Sequence, residues 1–579
     1  MNWKFYYSCY ISLVLVMCFS CTKDTEINQK PNVILIIADD QGYGDLSARG
    51  NPYLNTPTLD QLAHSALSFE NFYVSPVCSP TRAELLTGKY YPKSGVYSTS
   101  TGGERINLDQ QILGDYFKED GYQTGFFGKW HSGQQYPYHP NARGFEEFYG
   151  FCSGHLGHYF DARIEHNGKA IRSKGYLTDD LTTKTIEFAG QNATEPFLAV
   201  LSLNTPHSPM QVPEQWYKKF DSMTIDGGER EDVNHSKAAY AMVENIDHNV
   251  KRIIQALKKN GLDENTVLIY MSDNGPNGHR FNAGLKGTKG STDEGGVKTN
   301  FFLKYSRFKG RKIKQLASSI DLLPTLLELC GINIPKGIDG VSLMPSILKN
   351  EIKDKTLFHF WNNQLSVRTK EYKLDTRDSL FEIRKDPNQK FPVQNDSVFA
   401  LLQTQKEKWL SKYLLSTEEK RPFSIANAAV FPVVLPSRDA SFSAEVKRSN
   451  RWPNDSYLKQ WKSLSDSIFW PVENFESGWY YFTLYYTAPK TEVGVPLEIK
   501  IKNGSVQQIV EKTFVSKPIG ASEDRVRRIE SYIKDFYPLR FKDSLFLEKG
   551  LDTIVLHRMK SGEHSIEFQK LELSRTSNQ

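Results

Sequence analysis

Four short apolar runs in the first half of the chain predict buried strands. They cover residues 33–38, 125–127, 197–203 and 267–271, and each is followed at once by polar residues. Unbroken apolar runs with abrupt polar ends are typical of parallel strands that are buried on both faces of a sheet. The pattern therefore predicts an α/β fold with a mixed, largely parallel sheet flanked by helices.

The polar residues that follow these runs are of types that carry chemistry. Asp39 and Asp40 follow the first run, and Asp273 and Asn274 follow the last. The other two runs lead into a histidine segment at 204–207 and into a lysine and histidine segment at 128–131. In open α/β sheets, ligands bind at the carboxyl ends of the strands, so we expect these four segments to converge on one crevice.

Three aspartates and one asparagine in a single crevice indicate a metal site. Carboxylates held close together repel one another unless a cation lies between them. Their donor atoms are all oxygen, and the chain has no cluster of cysteine and histidine at zinc spacing, so a hard ion such as calcium or magnesium fits best. The alternative is that the paired acids cap a helix or face solvent.

The segment Cys78-Ser79-Pro80-Thr81-Arg82 places a reactive side chain at a predicted helix start. Proline is favoured at the first helical position, so Cys78 is expected at the helix N-terminus, where the helix dipole favours an anion. Arg82 lies one turn further along the same face. This pattern predicts a nucleophile beside an anion-binding site, and the alternative is a small buried cysteine.

The motif C-x-P-x-R, followed by Leu86-Thr87-Gly88, resembles the signature of the type I sulfatases, which belong to the alkaline-phosphatase-like superfamily. Further segments match this family in order and approximate spacing, and the resemblance covers about residues 31–420. The matching segments are residues 39–45, 128–131, 206–207, 272–275 and 285–296. The resemblance implies an alkaline-phosphatase-like fold and hydrolysis of sulfate monoesters.

The resemblance also implies the roles of individual residues. A maturation enzyme that generates formylglycine would convert Cys78 to that aldehyde. The calcium ligands would be Asp39, Asp40, Asp273, Asn274 and the modified Cys78. The catalytic and sulfate-binding residues would be Cys78, Arg82, Lys129, His131, His207 and Lys289.

The implied mechanism assigns different proton transfers to the two histidines. The hydrated formylglycine attacks sulfur, and His207, with Lys289 as a possible helper, protonates the departing sugar oxygen. His131 then removes a proton so that sulfate is expelled. A histidine with an ordinary pKa near 6.5 suits either role near neutral pH.

The rest of the chain predicts two further units and a tethered N-terminus. Residues 28–320 are assigned to the catalytic domain, and residues 321–421, with a final helix from about 409 to 421, to a C-terminal subdomain. Residues 422–579 are assigned to a β-sandwich-like domain that includes a hairpin turn at Asn503-Gly504. A helix is predicted at 238–259, where apolar residues recur with helical spacing.

The first residues resemble a bacterial lipoprotein signal. Residues 1–21 contain Lys4, then an apolar stretch too short to span a bilayer, and end at Cys21. We therefore expect an exported protein in the periplasm or at the outer membrane or cell surface, which touches the membrane only through a lipid anchor at Cys21. Ordinary secretion is the alternative. The mature chain would keep four cysteines, a number that does not indicate a disulfide framework.

Composition and charge limit the partners. The net charge of +5 over 579 residues is small, and no long basic run with aromatics occurs, so nucleic acid is not an expected partner. A sulfated saccharide is the expected substrate, with the loop 153–161 and residues His359, Trp361 and Asn362 as candidate contacts. The four tryptophans Trp452, Trp461, Trp470 and Trp479 belong either to a glycan-binding face or to the core.

Two other functions remain open at this point. A phosphodiesterase or phosphonate hydrolase of the same superfamily could share the acidic residues, although Cys78 with Pro80 and Arg82 argues against it. A non-catalytic glycan-binding lipoprotein would be expected to have lost part of the polar set. The sugar, the sulfated position and exo or endo action do not follow from the sequence.

Overall fold

The computed structural model describes residues 30–226, 232–414, 421–428, 430–443, 445–453 and 455–575. The predicted signal sequence at 1–21 and its lipoprotein cysteine Cys21 lie outside these residues, so both stay predictions. Over the part of the chain that is described, no helix combines the length and apolar character needed to cross a membrane.

Within the described residues, eleven strands form one large sheet. They are β1 (Asn32–Ala38), β2 (Leu67–Tyr73), β3 (Gln123–Lys129), β4 (Glu147–Phe151), β5 (Arg163–His166), β6 (Lys169–Arg172), β7 (Phe197–Ser202), β8 (Thr266–Ser272), β9 (Lys298–Thr299), β10 (Phe301–Lys304) and β11 (Arg311–Ser318). Their order is β11-β2-β10-β8-β1-β7-β3-β4-β5-β6, and β9 pairs with β2. Strands β8, β1, β7, β3 and β4 are parallel neighbours, and β10 and β5 add antiparallel pairs. The predicted mixed, largely parallel sheet is confirmed.

Helices cover both faces of this sheet, because side chains of a buried strand alternate between two cores. Val33, Leu35 and Ile37 of β1 belong to one core, and Ile34 and Ile36 belong to the other. The α-helices of the described residues are Pro57–Ser65, Cys78–Thr87, Leu113–Glu119, Leu177–Gln191, Glu214–Asp221, Val233–Lys259, Glu294–Val297, Leu322–Leu329, Met344–Lys349 and Asp396–Tyr413.

The helices predicted at 238–259 and at 409–421 had different outcomes. The helix expected at 238–259 is confirmed and starts earlier, at Val233, where the Asp232 side chain accepts a hydrogen bond from the backbone N–H of His235. The helix expected at 409–421 is instead Asp396–Tyr413. Only Leu402, Trp409 and Tyr413 of that helix are buried, so its apolar pattern was too sparse to mark its start.

A small antiparallel sheet follows the large one. It consists of β12 (Leu357–Trp361), β13 (Gln364–Arg368), β14 (Tyr372–Leu374) and β15 (Leu380–Glu382) in that order. Leu402 of the helix Asp396–Tyr413 packs in a small core with Val367, Leu374 and Leu380. This arrangement places a helix on one face of the small sheet.

Two more sheets form the last part of the chain, which we call the C-terminal module (residues 422–575). Its strands are β16 (Phe423–Ile425), β17 (Val433–Pro436), β18 (Ser441–Phe442), β19 (Lys447–Arg448), β20 (Leu458–Trp461), β21 (Ser467–Asn474), β22 (Gly478–Thr487), β23 (Pro496–Ile501), β24 (Gly504–Ile509), β25 (Tyr537–Arg540), β26 (Leu545–Leu547), β27 (Gly550–Arg558) and β28 (Ile566–Arg575). Strands β16, β18, β21, β27, β23 and β24 form one sheet, and the others form the second. Both sheets contribute to one apolar core, as expected for a β-sandwich.

The C-terminal module differs from the sequence-based predictions in its hairpin loop and in two of its tryptophans. The hairpin loop is Lys502-Asn503, one residue earlier than predicted, because Ile501 pairs with Gly504 and Val506 then lies opposite Ile499 in the core. Trp461 and Trp470 are fully buried in that core, so neither can stack on a sugar.

Candidate active site

The predicted site residues meet at one edge of the large sheet. Strands β8, β1, β7 and β3 are consecutive parallel neighbours, so their carboxyl ends lie side by side. The residues brought together there, all buried, are Asp39, Asp40, Cys78, Arg82, Lys129, His131, His207, Asp273 and Asn274. Lys289 joins them from a loop, with 19% of its side chain exposed.

The chain turns sharply at two of these positions. Asp40 has a φ of 67° and His131 a φ of 58°, both in the left-handed region that residues other than glycine rarely adopt. The strand ends are held by backbone hydrogen bonds, in which Asp39 N–H donates to Thr205 O and Asp273 N–H donates to Ala38 O. Strained backbone that neighbouring structure holds in place is typical of functional sites.

Each buried acid pairs with one cation. Lys129 Nζ lies 2.7 Å from Asp39 Oδ2, and Lys289 Nζ lies 2.6 Å from Asp40 Oδ1. Burial disfavours the charged form of Asp39, but the positive groups around it, of which Lys129 contributes most, together outweigh burial and hold the pKa of Asp39 well below its usual range. Asp39 therefore stays ionised in the interior.

Asp273 is held by Arg82. The Nη2 and Nε atoms of Arg82 donate to Asp273 Oδ2 at 2.7 and 3.1 Å, and Nη1 donates to the carbonyl oxygen of Lys129 and to Ser202 Oγ. Burial and the nearby charge of Asp39 raise the pKa of Asp273 to about 7. These contacts orient Asp273, and the predicted catalytic or sulfate-binding role of Arg82 stays a prediction.

Three buried oxygen atoms in this cluster accept no hydrogen bond from the described residues. They are Asp39 Oδ1, Asp40 Oδ2 and Asn274 Oδ1. Candidate ligand atoms of Asp39, Cys78 and Asp273 lie within 4.8 Å of one another, and so do those of Asp39, Asp40 and His207. Because unsatisfied buried acceptors are costly, this set of oxygen donors fits a hard cation such as calcium.

Cys78 is the first residue of the helix Cys78–Thr87, two residues ahead of the start expected from Pro80. Its side chain is buried, and burial raises the pKa of the thiol. A neutral thiol is a weak nucleophile, since the thiolate is the reactive form. The position at a helix N-terminus among cations is confirmed, but the unmodified thiol is poorly suited to attack.

The two histidines have different surroundings. His131 Nε2 is 2.8 Å from Thr99 O, and burial together with Lys129 lowers its pKa well below 6.5. His207 Nδ1 is 2.8 Å from Ser208 O, and burial together with Lys289 lowers its pKa to about 4. Both rings are therefore neutral at pH 7, because burial and the neighbouring lysines disfavour their protonated forms.

Some predicted contacts lie at the site and others do not. The loop 153–161 does lie there: a Cβ at Gly154 would collide with the His131 ring, and the His155 ring centroid is 5.3 Å from that of His207. His359 instead packs against Tyr73, whose hydroxyl donates to Glu294 in a separate buried cluster.

A second group of potential ligands is satisfied by its own hydrogen bonds. His139 Nε2 lies 2.7 Å from Glu165 Oε1, and Cys152 Sγ donates to the same oxygen at 3.3 Å. This group therefore needs no ion, in contrast to the oxygens beside Asp39.

Comparison with known proteins gives two family matches. The model described as "Sulfatase" matches residues 31–332, more than half of the chain, and the model described as "N-sulphoglucosamine sulphohydrolase, C-terminal" matches residues 290–415. Both matches end before the C-terminal module begins.

Individual relatives cover the same region. The chain is 30% identical to the mouse N-acetylgalactosamine-6-sulfatase over 382 residues, which are 59% of this chain and 71% of that protein. It is 31% identical to an uncharacterised sulfatase of Escherichia coli, YdeN, over 55% of this chain and 66% of that protein. Among solved structures, Ps i-CgsB in complex with k-i-k-neocarrahexaose is 31% identical with a TM-score of 0.60, over 66% of this chain and 93% of that chain.

Proposed function

Since the chain belongs to the sulfatase family and is a sulfuric ester hydrolase, we propose that it removes sulfate from a sulfated saccharide with a formylglycine derived from Cys78 and a calcium ion. The observation that carries this proposal is the convergence of Cys78 with three unpaired oxygens at one sheet edge. Family membership disfavours a phosphodiesterase. The catalytic residues are all present, which disfavours a non-catalytic binding protein.

The calcium ion would be held by Asp39, Asp40, Asp273 and Asn274, together with the modified residue 78. The unpaired oxygens of three of these residues support this ligand set. When bound, calcium would offset the negative charge of the sulfate group.

The charge of the pocket favours an anionic substrate. A bound divalent ion would favour the ionised form of all three carboxylates. Their charges would then cancel those of Arg82, Lys129 and Lys289, and the ion itself would leave the pocket positive. A positive, buried pocket stabilises the charge that develops on a sulfate ester during reaction.

Formylglycine would remove the difficulty posed by the Cys78 thiol. The hydrated aldehyde supplies an oxygen nucleophile that does not depend on thiolate formation, which burial disfavours at this position. A separate maturation enzyme would have to oxidise Cys78, as the family resemblance implies.

Proton transfer falls to the two histidines. His207 lies within 3.6 Å of Asp40 and beside Lys289, and we assign it the proton that the departing sugar oxygen receives. Its pKa of about 4 requires that an anionic substrate raise it on binding, since a nearby negative charge favours the protonated ring. His131, also neutral, accepts the proton that is released as sulfate leaves.

A saccharide substrate and an exported location complete the proposal. The mouse relative is named for a sulfated amino sugar, and the Ps i-CgsB structure contains a neocarrahexaose. The lipoprotein-like start of the chain supports a place in the periplasm or at the outer membrane or cell surface, with Cys21 as the lipid anchor. The particular sugar is left to experiment.

The test is to incubate the purified, matured protein with a panel of defined sulfated saccharides and to measure free sulfate. We expect the wild-type protein to release sulfate from at least one saccharide and the Cys78→Ala variant to release none. The mass spectrum of the wild-type peptide that contains residue 78 should show an aldehyde at that residue. Hydrolysis of phosphodiesters to phosphomonoesters with no sulfate release, or full activity with an intact thiol, would refute the proposal.

A further inference from the structure

The C-terminal module touches the active site through the loop 153–161. Asp455 Oδ2, from the module, lies 2.5 Å from His155 Nδ1. His155 is buried, with its ring 5.3 Å from that of His207 at an angle of 69°. A residue of the module therefore fixes the ring that packs edge-to-face on the proposed proton donor.

A second contact of the module reaches Ser208, the residue that follows His207. Ser208 Oγ donates to Glu530 Oε1 at 2.5 Å, and the same Oγ lies 3.4 Å from His207 Nδ1. The carbonyl oxygen of Ser208 is closer to the ring than its hydroxyl is, at 2.8 Å from His207 Nδ1. Glu530 thus holds the residue whose backbone and hydroxyl both face the His207 ring.

The module also holds the two loops together. Gln211 Nε2 donates to Gly520 O and to Asp524 Oδ1, both at 2.8 Å, while Gln211 Oε1 accepts from the backbone N–H of Tyr159. Arg528 Nη1 donates to Gly157 O at 2.8 Å. The module segment 520–530 therefore spans the loop that carries His155 and the loop that carries His207.

We propose that the C-terminal module is a working part of the catalytic centre, in which Asp455 and Glu530 act as positioning residues for His155 and His207. This inference rests on the role of His207 in the proposed function. Both family matches end at or before residue 415, so these positioning residues lie outside the matched region. The module would make sugar release depend on a part of the chain more than 240 residues away from His207.

The physical reason is that a proton donor works only when its geometry is held closely. A displacement of about 1 Å in a catalytic group can cost about 10²-fold in rate. His207 follows β7 in a loop rather than in a strand, so contacts outside the sheet must fix its ring. The module supplies two such contacts, one through His155 and one through Ser208.

The experiment compares Glu530→Gln and Asp455→Asn with Asp535→Asn as the matched control. Asp535 also belongs to the module and pairs with Arg163 of the large sheet, but this pair is exposed and is not in contact with His207. For each variant, kcat and KM are measured on a sugar sulfate and on an aryl sulfate. Thermal unfolding of each variant shows whether it is folded.

We expect Glu530→Gln and Asp455→Asn to lower kcat on the sugar sulfate about 10- to 100-fold with little change in KM, and to affect the aryl sulfate much less. Asp535→Asn should behave like the wild-type protein. Wild-type kcat in both site variants, or equal losses on both substrates in all three variants, would overturn the inference.

A second measurement separates this inference from the proposed function. In protein labelled with ¹⁵N-histidine, Asp455→Asn and Glu530→Gln should shift the ring resonances of His155 and His207, and Asp535→Asn should not. This result is expected even if the wild-type protein releases no sulfate from any saccharide. Unchanged ring resonances in both site variants would contradict the positioning role, whatever the activity.

Discussion

The catalytic edge of the large sheet and the core of the C-terminal module both bury full charges, but they satisfy them differently. In the module, Arg558 and Glu492 are completely buried. Glu492 Oε2 accepts from Arg558 Nη2, Glu492 Oε1 accepts from His564 N–H, and Arg558 Nη1 and Nε donate to backbone carbonyls. Every polar atom of this pair has a partner within the protein.

At the catalytic edge, Asp39, Asp40 and Asn274 each keep one buried oxygen that accepts no hydrogen bond from the described residues. The pairs with Lys129 and Lys289 satisfy only one oxygen of each carboxylate. A fully satisfied pair supports the fold, whereas a partly satisfied cluster at a sheet edge indicates a ligand. Both clusters are buried and charged, so neither property distinguishes them. What distinguishes a structural cluster from a functional one is whether every buried polar atom has a hydrogen-bond or ion-pair partner within the protein.

The largest effect is expected when an acid that keeps one unpaired oxygen is neutralised. Asp40→Asn keeps the size of the side chain but removes the charge, so kcat/KM for sulfate release should fall about 10³-fold or more. The matched control is Glu492→Gln in the module, which should lose stability and keep kcat. If Asp40→Asn retained kcat/KM while Glu492→Gln lost it, the comparison between the two regions would be reversed.

Variants of His207 and His131 should differ in how their kcat depends on the leaving group of the substrate. His207→Ala should lower kcat on a sugar sulfate by about 10²–10⁴-fold and on an aryl sulfate much less, because a phenolate leaves without a proton. His131→Ala should lower kcat similarly on both substrates, since sulfate expulsion is common to them. Steady-state kinetics on the two substrates checks this, and identical profiles for the two variants would mean that the roles are wrongly assigned.

Substitution of the buried pair Arg558 and Glu492 should change the free energy of unfolding and leave kcat unchanged. Arg558→Met leaves a buried, unpaired carboxylate, so the free energy of unfolding should fall by about 3–5 kcal/mol. The double variant Arg558→Met with Glu492→Leu should recover most of this loss, because it removes both charges together. Denaturant unfolding measures both values, and a double variant no more stable than the single one would contradict this account.

A smaller effect concerns Glu84 in the helix that begins at Cys78. Burial raises its pKa from 4.5 to about 7, although Ser319 Oγ donates to it. The folded chain then binds a proton that the unfolded chain releases between these values, so the contribution of Glu84 to stability is fully present below pH 4.5 and is lost as the pH rises to about 7. The loss attributable to this group is at most about 3 kcal/mol.

Glu84→Gln should remove that component of the pH dependence. The difference in unfolding free energy between pH 5 and pH 8 should be smaller in the variant than in the wild-type protein, as measured by denaturant unfolding at both values. An equal pH dependence in the two proteins would show that Glu84 titrates normally.

Much of the site could be predicted because its residues follow buried strands directly. Asp39, Asp40, Asp273 and Asn274 stand next to apolar runs in the chain, and parallel pairing of β1 with β8 brings them together. The position of Cys78 at a helix start could also be predicted, since Pro80 marks the beginning of that helix. Each of these features depends on residues that are close together in the chain, so it can be recognised in a single sequence.

The remaining features depend on contacts between distant segments. Asp455 and Glu530 reach the histidine loops from about 300 residues away, and no periodicity marks them. The orientation of Arg82 toward Asp273 depends on side-chain geometry inside the sheet edge. The domain boundaries proposed at 320, 421 and 422 stay predictions.

The most direct test of the central claim is the metal content of the purified protein after dialysis against calcium and then against metal-free buffer. Elemental analysis should find a single calcium ion per chain in the wild-type protein, far less in Asp40→Asn, and an unchanged amount in Glu492→Gln. A metal-free wild-type protein that still released sulfate at its full rate would contradict the claim that the unpaired oxygens hold a cation.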